Sequence, residues 1–187
     1  MAWEAAFRLW IQNTVRQEWL DPLVARFTQL GTAGILWIAV TLILLIIPKT
    51  RKVGWACVIS LIISALVCNV ILKNAVARPR PYTVIGGLRL LVPPAIDWSF
   101  PSGHASTAFC VAGVCLARLP KKAGIPLIVL AALIALSRLY VGVHYPTDVI
   151  FGVIVGIAAA LLAMKLFDVI DERLMALKEK RKQQYHA

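Results

Sequence analysis

The chain has 187 residues, 60% of them hydrophobic, with a mean hydropathy of +0.78. That is too apolar for a soluble domain, and the length holds one bundle of about five spans at roughly 20 residues each, with no room for a separate soluble domain. The net charge of +11 sits at the ends of apolar runs, a distribution that reports membrane topology and argues against a nucleic-acid partner.

Residues 1–20 are too polar to span a bilayer. Trp3, Phe7, Trp10, Ile11 and Val15 recur at helical spacing opposite Glu4, Arg8, Gln12 and Arg16. The pattern predicts an interfacial amphipathic helix lying in the headgroup plane with Trp anchors, or the same helix packed on the bundle's own surface. A basic region followed by a short apolar stretch and a cleavage site is missing, so no removable signal peptide is expected. Five apolar runs follow, roughly 23–47, 53–75, 102–119, 125–143 and 147–167, punctuated by Pro48, Pro120 and Pro146. They predict an all-α, polytopic membrane helix bundle in which residues 1–187 form a single domain. Cys57, Cys68, Cys110 and Cys115 lie inside these runs without C-x-x-C spacing and read as small buried residues.

The longest connection, 78–101, is polar, rich in Pro and Gly, and carries Arg89, Asp97 and Trp98; a connection of that length predicts a lid or a substrate entrance. The tail, 171–187, mixes charges and ends basic, as a solvated helical or frayed end near anionic lipid would. Lys49, Arg51 and Lys52, then Arg118, Lys121 and Lys122, then the tail fall on one side of a five-span bundle, which the positive-inside rule assigns to the cytoplasm. Lys73, Arg80, His104, Arg138, His144 and Asp148 then gather at the opposite mouth, on the extracytoplasmic side of the plasma or inner membrane.

Those residues belong to three polar clusters, and ionisable groups against apolar segments suggest function by default. In the third cluster, Pro146 opens a helix and Asp148 sits in its first turn, where it can reach back and fix the tautomer of His144. A histidine so held offers its other nitrogen as a nucleophile; a histidine merely satisfied by a capping carboxylate has the same pattern. In the second, Ser102 can cap a helix, Gly103 allows close approach to an anion, and His104 beside that anion suits a general acid, although a plain cap with an interfacial histidine reads alike. In the first, Lys73 and Arg80, with Arg138 from the third, supply cations for a phosphate; snorkelling is the alternative, and it is preferred for Arg78 and Arg89.

Taken together, K-x6-R-P at Lys73, Arg80 and Pro81, P-S-G-H at Pro101 to His104, and S-R-x5-H-x3-D from Ser137 to Asp148 resemble the three signature motifs of the type-2 phosphatidic acid phosphatase superfamily, in order and with every fixed position filled. The resemblance implies a metal-independent phosphatase of membrane lipid phosphates needing no cofactor, related to soluble vanadate-dependent enzymes. By position, His144 would attack phosphorus, Asp148 would orient it, and His104 would protonate the leaving oxygen and then activate water. Lys73, Arg80, Ser102, Gly103 and Arg138 would hold the phosphate. The compact size and outward site resemble bacterial enzymes that convert undecaprenyl diphosphate to the monophosphate; phosphatidylglycerol phosphate and phosphatidic acid remain alternatives. A metal hydrolase fits poorly, because there is no H-E-x-x-H and no carboxylate-rich cage. A non-catalytic lipid-phosphate binder or transporter would need the cations but not the nucleophile.

Overall fold

The computed structural model describes residues 2–185; Met1 of the expected N-terminal helix and residues 186 and 187 of the expected tail lie outside the described residues. Each apolar run becomes helix, because in hydrocarbon a backbone N–H or C=O finds its partner only inside its own segment. α1 (Ala2–Trp10) continues into a π-helical turn, Ile11–Val15. α2 (Asp21–Gln29) and α3 (Ile35–Ile46) are joined through a 3-10 turn at Thr32–Gly34, with a bend of 43° between the two arms. α4 (Arg51–Ser64) runs through a π-helical stretch, Ala65–Leu72, into α5 (Lys73–Val76). After a single turn, α6 (Pro81–Val84), come α7 (Gly103–Arg118), α8 (Lys121–Tyr140) and α9 (Pro146–Tyr185).

Among the described residues three helical stretches are long and apolar enough to cross a membrane, and the bent α2–α3 pair makes a fourth if its two arms count as one span. The remaining expected run is α7, whose 16 residues cover about 24 Å, a little short of a hydrocarbon core of roughly 30 Å. It runs from the motif residues at its start to Arg118, beside Asp168, at its end. It is the axis of the bundle, packed by α4, α8 and α9. Ala105, Ser106, Ala108, Cys110, Val111, Ala112, Val114 and Cys115 are all buried along it. Outward-facing side chains such as Ile38, Leu42, Ile46, Leu133, Leu136, Ile154 and Leu161 remain exposed, as a lipid-facing surface requires.

Lipid tails are as apolar as leucine, so close packing rather than water exclusion holds such helices together. The α7–α9 seam shows how. A Cβ on Gly152 would stand 2.6 Å from the backbone oxygen of Ser102, and one on Gly156 would stand 2.6 Å from that of Ser106. The two glycines, one turn apart on α9, let the backbones touch. Across the opposite face, the buried hydroxyls of Ser64 and Ser106 share a hydrogen bond of 2.6 Å.

At one end, Lys52 pairs with Asp171 at 2.6 Å and Arg118 with Asp168 at 2.5 Å. The basic turns and the base of the tail therefore share that end, and the tail itself continues α9 as helix to Tyr185. The motif residues occupy the other end. There α1 docks in the orientation opposite to an ordinary amphipathic surface helix. Its polar residues Glu4 and Arg8 are buried against the bundle while Trp3 and Trp10 are exposed. Arg8 donates to the carbonyl of Leu139, and Arg16 Nε donates to that of Tyr140 at 2.8 Å. Of the two expectations for this segment, the structure shows the helix packed on the bundle's own surface, with Trp3 and Trp10 outward and Ile11 buried.

Replacing Gly156 with Val forces the α7–α9 seam apart and should cost about 1–3 kcal/mol. The thermal midpoint of the purified protein, followed by helical circular dichroism, should fall below that of wild type; an unchanged midpoint would show that the seam is not packed this tightly.

Candidate active site

The three clusters converge at the non-basic end of the bundle. The π-helical stretch 65–72 delivers Asn69 and Lys73 to a cavity of about 390 Å³ that is also lined by Asp97, Gly103 and His104. Its apolar wall is Ile38 of α3, Leu61 of α4 and Ala65 of the π-helical stretch. Lys73 forms an ion pair with Asp97 Oδ2, and Arg80 Nη2 pairs with Asp97 Oδ1 at 2.5 Å. Arg80 Nε also donates to the backbone oxygen of Asp97 at 2.9 Å, and Nη1 donates to that of Val143 at 3.0 Å. The 78–101 connection is thus fastened to the phosphate motifs by its own carboxylate. Burial raises the proton affinity of Asp97, but the hydrogen bonds and charges of Lys73 and Arg80 outweigh it and hold the group at about 2.

His144 lies in the turn before α9 and is buried. Its two nitrogens face different partners. Nε2 is 3.5 Å from Arg80 Nη1, on the side of the cationic cradle, and Nδ1 is 3.5 Å from Asp148 Oδ2. The second distance is long for a hydrogen bond and of the kind that tightens when substrate binds. Asp148 is fully buried. Its Oδ2 accepts the Ser99 hydroxyl and the Tyr145 N–H at 2.9 Å, and its Oδ1 accepts Arg78 Nη1 at 2.6 Å. Three donors fix the carboxylate, and the carboxylate selects the tautomer with a proton on Nδ1, leaving the Nε2 lone pair toward the cradle.

His104 projects from the first turn of α7, its Nε2 buried and without a hydrogen-bond partner among the described residues. It lies within electrostatic range of Arg138, His144, Lys73 and Arg80. The α2–α3 bend seats Gly31 on its ring, where a Cβ would come 2.7 Å from Cδ2. Gly103 packs so that a Cβ would sit 3.1 Å from Asn69 Oδ1 and 3.8 Å from Lys73 Nζ. Ser102 is fully buried. Its hydroxyl accepts from Ala105 N at 3.4 Å as the α7 cap, and its own N–H donates to the Asp148 carbonyl at 2.9 Å, joining the second motif to the third. Arg138 is buried, donates Nη1 to Thr28 Oγ1 at 2.7 Å, and keeps a buried Nε without a protein partner. Buried unpaired donors of this kind call for an anion.

Sequence reasoning missed four contributors. Arg78 does not snorkel: it binds Asp148. Ser99 holds the same carboxylate, Thr28 positions Arg138, and Glu4 from α1 pairs with Arg78 at 2.6 Å. Only Arg78, next to a motif residue, carried a signal in its position; the others are isolated polar residues brought in by tertiary packing.

Buried cations beside a carboxylate-backed histidine, at one end of a bundle of apolar helices, form a site with the charge to take an anion. Residues 53–171 match the profile of the PAP2 superfamily, and the chain belongs to it. It is 41% identical over 130 residues to the undecaprenyl-diphosphatase of Sulfolobus acidocaldarius, covering 70% of this chain and 63% of that protein's length. It is 30% identical over 178 residues to the phosphatidylglycerophosphatase B of Bacillus subtilis, covering 89% of this chain and 82% of that one. The crystal structure of Aquifex aeolicus LpxE superposes with a TM-score of 0.75 at 30% identity, covering 86% of this chain and 93% of its own.

Burial, reinforced by Arg80 and Arg138 and opposed by Asp148, holds His144 down at about 4. The fold favours the neutral ring, so His144 contributes stability above its unfolded value of roughly 6.5, and that contribution shrinks as pH falls toward 4. The ring carbon resonance of His144, labelled isotopically in the substrate-free protein, should stay constant from pH 8 to pH 5.5. A titration midpoint near 6.5 would refute the burial and the tautomer assigned here.

Proposed function

We propose that the protein hydrolyses a terminal phosphate from a membrane lipid phosphate or diphosphate through a phosphohistidine, without a metal or other cofactor. The observation that carries this reading is the doubly held anion: one carboxylate shared by Lys73 and Arg80, with His144 Nε2 facing the same cradle and Asp148 behind it. A phosphate exchanged for Asp97 would meet Lys73, Arg80 and Arg138 on its oxygens, along with the backbone at Gly103. His144 Nε2 then bonds to phosphorus as the bond to the leaving oxygen breaks, and His104 gives that oxygen its proton. In the second half, His104 takes a proton from water, the water oxygen bonds to phosphorus, and the P–N bond breaks to release phosphate and free His144. The cations stabilise the charge spread over the equatorial oxygens in both halves. Ser102 supports the site as the α7 cap.

A metal-dependent route is disfavoured by the carboxylates themselves, since Asp97 serves Lys73 and Arg80 while Asp148 serves Ser99, Tyr145 N and Arg78. A pure binder would need the cations but not an oriented imidazole. The apolar wall of Ile38, Leu61 and Ala65 supports a lipid tail reaching the cavity from the bilayer. The name of the Sulfolobus relative favours undecaprenyl diphosphate as substrate, giving undecaprenyl phosphate. Phosphatidylglycerophosphate is the second reading, favoured by the match to the Bacillus protein along most of both chains. The basic turns at the far end support a site on the extracytoplasmic face of the cell membrane.

Phosphate release by the purified protein, measured in EDTA with undecaprenyl diphosphate, phosphatidylglycerophosphate and phosphatidic acid, tests the reading. Wild type should turn over with EDTA present, and His144→Ala should lose at least about 10³-fold in kcat while its helical content is kept. Turnover by that variant at the wild-type rate would remove the nucleophile assignment. Orientation is checked separately. The native cysteines are buried and Gly86 has open space around it, so Gly86→Cys in intact cells should react with an impermeant thiol reagent; reaction only after lysis would put the site on the cytoplasmic face.

A further inference from the structure

Arg78 and the N-terminal helix meet in a closed polar circuit behind the candidate nucleophile. Arg78 Nη1 donates to Asp148 Oδ1 at 2.6 Å and to Thr147 Oγ1 at 2.7 Å, while Nη2 donates to Glu4 Oε2 at 2.6 Å. Thr147 Oγ1 closes the ring by donating to Glu4 Oε1 at 2.6 Å, and the guanidinium carbon sits 3.8 Å from the centroid of the Tyr145 ring. Glu4 is 2% exposed and Asp148 0%. Glu4 belongs to a helix that supplies none of the motif residues, yet it is buried as deeply as the catalytic groups and shares one guanidinium with the carboxylate that orients His144.

The geometry of that sharing has a direct consequence. Because Arg78 occupies Oδ1 of Asp148, Oδ2 is the oxygen left facing His144 Nδ1. A buried guanidinium bound to Asp148 alone would draw that carboxylate's charge toward itself and away from the imidazole. With Glu4 holding the other Nη, the cation is divided between two carboxylates, and the fork is fixed in plane over Tyr145. We propose that Glu4 is a positioning residue, acting through Arg78 on Asp148, so that docking of α1 is part of what makes His144 reactive. The inference rests on the phosphohistidine reading above. It gives the N-terminal helix a role in turnover beyond anchoring.

The test is a double-mutant cycle on the purified full-length protein, with kcat and KM measured on undecaprenyl diphosphate and on phosphatidylglycerophosphate. Glu4→Gln should lower kcat by about tenfold to a hundredfold on whichever lipid is turned over, as a misaligned reacting group does. KM should stay within about twofold, because the cations of the cradle are untouched. Combining it with Arg78→Gln should add little to the loss from Arg78→Gln alone, because both act through one carboxylate. Unchanged kcat in Glu4→Gln, a rise in KM matching the fall in activity, or additive losses would each overturn the inference. If Glu4→Gln does not fold, Thr147→Val carries the same test, since it removes the hydroxyl that donates to Glu4 Oε1 with nearly the same shape, leaving the weaker Thr147 N–H bond at 3.4 Å and the Arg78 pair. His144→Ala separates the two levels: activity in that variant removes the underlying reading, whereas its inactivity beside a fully active Glu4→Gln removes only the positioning role.

Discussion

One buried carboxylate joins the whole site. Asp148, at the start of α9, accepts hydrogen bonds from Ser99, Tyr145 N and Arg78 and stands 3.5 Å from His144, while its backbone oxygen accepts Ser102 N at the α7 cap. A lone carboxylate at that depth would cost several kcal/mol, so the fold surrounds it with donors, and those donors come from every polar segment of the site. Removing one partner of a buried pair of this kind costs about 3–5 kcal/mol. Stability and reactivity are therefore set by the same contacts. The carboxylate that must be neutralised for α9 to pack is also the one that fixes the histidine tautomer.

The cradle in front of the histidine shows the complementary principle. Lys73 and Arg80 are buried cations brought close together, and in the absence of substrate Asp97 satisfies both. The side chain of Asp97 is 47% exposed, so it has a path to solvent that the two cations lack. The 78–101 connection thus supplies the counter-charge that Lys73 and Arg80 require. Tyr82 fixes the segment just before Asp97 through paired hydrogen bonds with Ala95, at 2.9 and 3.1 Å, and Ser99 N, which donates to the Arg78 carbonyl at 2.9 Å, fixes the segment just after it.

The candidate site was legible in the sequence because its chemistry is local. K-x6-R-P and S-R-x5-H-x3-D each span a single short junction between consecutive helices, α5 to α6 and α8 to α9, where chain spacing keeps their residues near one another. The fold was legible for a related reason, since apolar runs in a membrane have no alternative to helix. What could not be read depends on long-range packing. The run that forms α7 looks in hydropathy like the other spans, and only the packing shows that its small residues let α4, α8 and α9 close around it. Arg78 resembles a snorkelling residue until Glu4, 74 positions away in sequence, arrives to bind it. Ser102 reads in sequence as a phosphate ligand, and the packing adds what spacing could not show, a backbone bond from its N–H to the Asp148 carbonyl that joins two motifs.

α1 carries the last consequence. In water an amphipathic helix buries its apolar face, and here the reverse holds, with Glu4 and Arg8 inward and Trp3 and Trp10 outward. The inversion is stable only where the outward face meets something apolar or interfacial, and Trp is the residue suited to the headgroup boundary. The inward charges, in turn, find partners only at the mouth of the bundle: Arg78 and Thr147 for Glu4, the Leu139 carbonyl for Arg8. The helix is therefore held by the polar end of the bundle on one side and presents on the other a face suited to the headgroup boundary. If Asp148 orients His144 as proposed, the element packed behind that carboxylate is the one whose outer face is built for an interface.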